Sequence, residues 1–447
     1  MNKHSMASNN AKNAFWTRML VMLVIGLSTL LSGGTHAQAP AAADGAQAIN
    51  SSVFRSEHIK AVTAVTEVLG RSQRTVAAII EYDAPLSNRA ITATAWRVAG
   101  RTVTRAYAND RAEKAAQGRD GRFVVLELDP EDEGSVTFAP GVDTPATVTV
   151  TQVQPLRTSS GADYAATTTA IINTRQTNLI ADDFQQLTFI DPETGLRLSY
   201  NLYVPKGYDP SRSYPLVLFM HDAGVTGTNP LRTLQQGLGA VSFASPEDQA
   251  RHPAFVLAPQ YPVALANDAS QTSDYADITV RLIEDLKSRY SIDARRLYTT
   301  GQSGGCMASI ALNIKYPHLF AASLLVAGQW DPAQVAPLAT QKLWIIVAQD
   351  DAKAYPGMNA ITEVLEQNGA RVTRTLWNGR ASAAQFAGNV KLALEQGRNS
   401  NVIYTTFEKG TVIPLDVEAA GAAGHVWTWP IAYAIPGVRD WLFAQSR

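Results

Sequence analysis

The chain has 447 residues, 46% hydrophobic and 17% charged, with a formal net charge of −1. That length exceeds one ordinary domain and the apolar content is ample for packed cores, so two globular domains are expected. The near-neutral balance, with no block of Lys and Arg, excludes an electrostatic nucleic-acid groove, and no nucleic-acid partner is expected.

Lys3, Lys12 and Arg18 precede an apolar run over residues 19–31 and small residues ending at Ala37. A basic start, a short apolar core and a small-residue end describe a signal peptide, 1–37, cleaved after Ala37. The apolar run is short for a bilayer span. No stable membrane anchor is then expected after cleavage, and the location is periplasmic or secreted. Cys306 is the only cysteine, which excludes an intramolecular disulfide and a lipid-bearing cysteine beside the signal peptide. A lone thiol just inside a helix reads as a buried small apolar residue.

Residues 38–57 are low in complexity and read as a flexible leader. From 58 to 156 short β-prone runs are separated by turn residues; candidate strands are 59–68, 75–81, 91–98, 102–108, 123–128 and 146–153. Alternation such as Ile91-Thr92-Ala93-Thr94-Ala95-Trp96 and this spacing predict a β-sandwich. Its acids, Glu131-Asp132-Glu133 among them, fall in turns and read as solvated charges rather than metal ligands. Residues 157–182 are polar and Thr-rich, a linker or a final strand.

From 183 to 447 the pattern changes. Apolar runs at 196–205, 214–220, 255–259, 321–327, 342–348 and 370–377 read as strands. Residues 275–290, 306–316 and 360–368 read as helices. Apolar strands between amphipathic helices imply an α/β domain with a mostly parallel sheet covered on both faces.

Within this domain, Gly301-Gln302-Ser303-Gly304-Gly305 stands between a β-prone run at 296–300 and the helix-prone run at 306–316. A G-x-S-x-G between strand and helix is a nucleophile elbow, whose tight turn needs small neighbours and exposes the serine oxygen above the sheet. A serine hydroxyl needs a base within hydrogen-bond reach, and the base an orienting acid. On this fold they follow in the order serine, acid, histidine. Only His318 and His425 lie downstream of Ser303. His318 follows the elbow helix at its far end and reads as a surface residue, which leaves His425, expected in a loop before the final helix. The acid is expected after the 342–348 strand, where Asp350 and Asp351 both stand. Negative charge on a carbonyl oxygen calls for backbone N–H donors, and Gly304, at a helix N-terminus, is the first candidate. The second should lie in the loop His221-Asp222-Ala223-Gly224. There His221 is expected to shape the loop, and Asp222 to turn away and bond loop amides. Trp427 and Trp429 beside His425, and Tyr261, are candidates for a substrate pocket. No spacing typical of a metal site, P-loop or dinucleotide loop is present, so no metal and no cofactor are expected.

These residues resemble the two-domain secreted esterases that carry an immunoglobulin-like domain before an α/β-hydrolase domain. The hydrolase part is similar to sequences labelled predicted peptidases, to feruloyl esterases and to polyhydroxyalkanoate depolymerases. The likeness lies in Tyr200-Asn201-Leu202-Tyr203-Val204-Pro205, Val256-Leu257-Ala258-Pro259-Gln260, Thr300 through Gly305, and His425 through Phe443. The loop at His221 departs from the H-G-x-G form of the wider family. The resemblance implies a triad of Ser303, Asp351 and His425, with Asp351 as the second residue of its Asp-Asp pair, and oxyanion amides on Gly304 and Ala223. It implies a serine carboxylic-ester hydrolase that works through an acyl-enzyme on a small-molecule or polymeric ester. Two alternatives remain open at this point: a serine peptidase on the same fold, or a polymer- or polysaccharide-binding protein with an accessory hydrolase domain.

Overall fold

The computed structural model describes residues 57–447. The expected signal peptide, 1–37, and nearly all of the expected leader, 38–57, lie outside the described residues. Two β-rich layers come first. Strands Ile59–Leu69, Ser72–Leu86, Gly121–Leu128 and Val103–Asn109 pair in the order of a mostly antiparallel sheet, extended by Val136–Ala139 and Val142–Asp143. Facing it is a small sheet of Trp96–Val98, Thr149–Gln152 and Ile171–Ile172. Period-two burial explains the packing: Val62, Ala64, Ala78, Ile80, Tyr82, Val124 and Leu126 turn inward to meet Trp96, Val98 and Val150, as alternating strand side chains must.

Two features differ from the sequence reading. The run at 91–98 is a strand only over Trp96–Val98; 3-10 turns occupy Asn88–Ala90 and Ala93–Ala95. A β-run needs a partner for its backbone groups, and the partner here, Thr149–Gln152, reaches only Trp96 to Val98. The stretch 157–182, read as a linker or a final strand, holds more than one strand. Arg175–Asn178 adds to the first sheet, parallel to Ile59–Leu69, and Ile171–Ile172 adds to the second.

The second region is a nine-stranded sheet. Its order is Phe184–Ile190, Arg197–Tyr203, Phe255–Gln260, Tyr214–Met220, Ile292–Gln302, Ala322–Val326, Leu343–Ala348, Val402–Phe407 and Val372–Trp377. Only the pairs made by Arg197–Tyr203 are antiparallel. Central strands such as Tyr214–Met220 and Leu343–Ala348 are buried along their whole length, as expected where helices cover both faces. Helix Ala383–Gln396, strand Val402–Phe407 and the three helices between Leu231 and Arg251 have no counterpart among the elements read from the sequence. Helix Ala354–Gln367 begins six residues before the expected start, for a reason that belongs to the site.

Candidate active site

Strand Ile292–Gln302 lies mid-sheet and runs directly into helix Gly304–Lys315. Ser303 joins them at φ 52°, ψ −120°, a strained backbone conformation for a side-chain-bearing residue. The flanking glycines make the turn possible. A Cβ on Gly301 would stand 2.5 Å from the Gly305 carbonyl carbon, and a Cβ on Gly305 would stand 1.9 Å from the Met220 carbonyl oxygen. Any larger residue at either position would push the elbow helix off the sheet.

The serine meets its base at the carboxyl ends of the parallel strands, where ligands bind in open α/β sheets. Ser303 Oγ lies 2.9 Å from His425 Nε2, and His425 Nδ1 lies 2.5 Å from Asp351 Oδ2. An ionised carboxylate only accepts, so Nδ1–H donates to Asp351 and Nε2 is left to accept from the serine. His425 stands in the first turn of helix Ala423–Ala434 rather than in a loop. That helix comes close because position 424 is glycine: a Cβ there would sit 2.4 Å from Asp350 Cβ.

Asp351 is buried to 2% exposure. Its second oxygen, Oδ1, accepts from the backbone N–H of Lys353 at 3.1 Å and Ala354 at 2.8 Å. One side chain therefore orients the histidine and caps helix Ala354–Gln367, which starts early for that reason. Burial opposes ionisation of this carboxyl, but the hydrogen bond and charge of His425 and the two amides outweigh it and hold it below the ordinary value. Asp350 takes no part in the relay. Its Oδ2 accepts from Gly410 N–H.

Gly304 and Ala223 are the first residues of helix Gly304–Lys315 and of the 3-10 turn Ala223–Val225, so neither amide N–H is used in helical bonding. A Cβ on Gly304 would stand 3.5 Å from Ala223 N. The two amides thus border one small volume beside Ser303. Asp222 does turn from it: Oδ1 accepts from Gly224 N–H at 2.7 Å and Oδ2 from Gln302 Nε2 at 3.1 Å. His221 is buried, with Nδ1 2.7 Å from the Asp222 carbonyl and Nε2 accepting from Tyr261 N–H at 3.0 Å. Burial lowers its pKa, so it is a neutral brace for the loop.

The pocket residues divide. Trp429 lines a cavity at Ser303. Tyr261 does not: it is wholly buried and its hydroxyl is 3.0 Å from Thr279 Oγ1, so it packs beneath the site. Trp427 is half-buried with the Arg71 guanidinium 5.1 Å from its ring centre. His318 is exposed and Cys306 fully buried. Among the described residues no cluster of three or more His, Cys, Asp and Glu is arranged to hold a metal ion.

Ser303 opens onto two cavities. One, of about 540 Å³, is lined by the second domain alone, including Ala223, Met307, Gln329, Lys353 and His425. The other, of about 550 Å³, lies between the domains and is lined by Arg71 and residues 138–143 of the sandwich together with Asp222, Arg232, Gln236 and Trp429. Sequence reasoning missed the sandwich's share in this wall. The only local signal is the tight turn Gly70-Arg71 between two long strands, and nothing in it says where the tip will land.

Residues 61–165 match the family model for the esterase Ig-like N-terminal domain. A crystal structure of a thermostable esterase superposes with a TM-score of 0.74 at 29% identity, covering 87% of this chain and 100% of that one. These likenesses place an immunoglobulin-like domain before a domain of the α/β-hydrolase fold. The chain is also 26% identical over 156 residues to acetylxylan esterase A of Emericella nidulans; that match covers 31% of this chain and 47% of the relative, about half its length.

Proposed function

We propose that this protein is an exported serine carboxylic-ester hydrolase acting on a small-molecule or polymeric ester through an acyl-enzyme. The observation that carries the reading is the unbroken relay from Ser303 Oγ through His425 to Asp351, beside two free backbone amides. Ser303 attacks the ester carbonyl while His425 Nε2 takes its proton. The oxyanion forms against Gly304 and Ala223 N–H, whose dipoles are fixed before the reaction begins. His425 then protonates the departing alcohol, and water, activated by the same imidazole, releases the acid. Asp351 keeps the imidazole in the tautomer that each step needs. Export is inferred from residues 1–37, and no membrane anchor is proposed for the processed chain.

The test uses the purified protein with 4-nitrophenyl acetate and a fluorophosphonate probe. Turnover is expected, with single labelling at Ser303. Ser303→Ala should fold, take no label and lose about 10⁴- to 10⁶-fold in kcat. Labelling at another residue, or near-normal turnover by the variant, would refute the assignment.

A further inference from the structure

The two cavities at Ser303 differ in how their charges are matched. In the cavity within the second domain, the lysine is paired: Lys353 Nζ lies 2.5 Å from Asp268 Oδ2. In the interdomain cavity, Arg232 pairs with Asp143, and Asp222, whose oxygens accept from Gly224 and Gln302, acts on Arg71 only through space. Arg71 has no direct partner. Among the described residues it has no carboxylate within salt-bridge distance and no hydrogen-bond acceptor, and only the rings of Trp427 and Trp429 face its guanidinium, at 5.1 and 5.7 Å. Three side chains that line this cavity, Arg71, Arg232 and Trp429, each carry a buried N–H without an acceptor: Nε, Nε and Nε1. Buried N–H donors are costly unless something supplies acceptors.

The tip that carries Arg71 is held in place. Gln73 Oε1 accepts from Gln235 Nε2 at 2.8 Å in the buried interface. A Cβ on Gly237 would stand 3.1 Å from the Gly70 carbonyl oxygen. Val68 belongs to the core of the second domain. The guanidinium is therefore presented to the same cavity as the nucleophile by a docked hairpin.

We propose that Arg71 makes the interdomain cavity a subsite for a carboxylate, so that the preferred substrates are esters bearing an anionic group on the part that enters it. This rests on the ester-hydrolase reading above and adds a substrate class to it. The carboxylate supplies acceptors to donors that have none, and a guanidinium binds it with two parallel N–H bonds. The chemistry at Ser303 is unchanged: the ester C–O bond breaks, water adds across it, and the carboxylate is not consumed.

Two substrate pairs place the charge on either side of the carbonyl. One is 4-nitrophenyl hydrogen adipate against its terminal amide; the other is 4-acetoxybenzoate against 4-acetoxybenzamide. The wild-type protein should favour the carboxylate in one pair by about tenfold or more in kcat/KM, the scale of a charge-assisted hydrogen bond. Arg71→Met should abolish that preference by lowering the carboxylate esters about tenfold more than the neutral ones. Arg71→Lys, which keeps the charge without the fork, should retain part of it. Absence of a preference in both pairs, a preference that survives Arg71→Met, or an equal loss on charged and neutral esters would overturn the proposal. If folded wild-type protein fails to turn over even 4-nitrophenyl acetate, the ester-hydrolase reading fails instead. The subsite is then read by binding: free adipate should raise the Tm of the wild type and not of Arg71→Met, and no rise in the wild type would overturn it.

Discussion

The two walls around Ser303 are built on different principles. On one side every contributing residue belongs to the nine-stranded sheet and its connections, and the residues sit at strand ends and helix starts whose positions the sheet dictates. On the other side half of the wall comes from the tip of a hairpin and a turn in another domain, held by a buried Gln–Gln hydrogen bond and a surface ion pair. The contrast separates chemistry from selection. The proposed nucleophile, base, acid and oxyanion amides all come from one domain, so their mutual distances do not depend on domain docking. The shape and charge of the second cavity do.

The first way to break this comparison is to remove the relay from the rigid side. Asp351→Asn is expected to lower kcat by about 10⁴-fold, because the imidazole loses its tautomer control. Asp350→Asn gives up only the bond to Gly410 and should stay within about tenfold. Steady-state kinetics on 4-nitrophenyl acetate decide it, and the reverse ranking would move the acid by one residue. Next in size is Gly424→Ala. The added methyl has no room against Asp350, so the helix that carries His425 must shift. A displacement of that order costs about 10² in rate, with the circular-dichroism spectrum unchanged. A variant as active as the wild type would show that the helix can yield without moving the imidazole.

A third test uses pH. The folded-state carboxyl of Asp351 is held below its ordinary value of 3.8, so its contribution to stability is complete above that value and is lost as pH falls through the lowered one. The Tm gap between wild type and Asp351→Asn should therefore narrow as pH falls below about 4. A gap that widens would mean that burial, not the histidine, governs this carboxyl. The smallest effect is expected on the docked side. Arg232 and Asp143 are 38% and 50% exposed, so Arg232→Met should cost about 0–1 kcal/mol by chemical denaturation. A loss of several kcal/mol would mean that this ion pair, and not the hairpin, holds the domains together.

Much of the rigid side was legible in the sequence, because its constraints are local. The elbow shows as a five-residue pattern, although the atom that excludes a side chain at 305 is the Met220 carbonyl oxygen of the neighbouring strand. Burial on both faces writes continuous apolar runs such as 214–220 and 343–348. With the serine fixed and two downstream histidines available, elimination reached His425, and the order of the fold narrowed the acid to an adjacent pair. Within that pair the family resemblance pointed to Asp351. The physical reason lies in the three-dimensional turn after Ala348, which sends Asp350 to Gly410 and Asp351 to both His425 and the start of the next helix.

What the sequence could not carry is whatever depends on a partner distant along the chain. Alternation at 91–98 looks like a strand, but pairing with Thr149–Gln152 decides that only three of its residues form one. Tyr261 follows a strand end at the site's edge, yet a side chain's direction is set by what packs around it, and Thr279 and His221 draw it inward. Arg71 is the clearest case. In the sequence it is one arginine in a two-residue turn, and its meaning comes from Gln235, Gly237, Trp427 and Trp429, more than 150 residues away. Local sterics and burial period are written into the chain. Which hairpin tip meets which helix is fixed only when two folded surfaces fit.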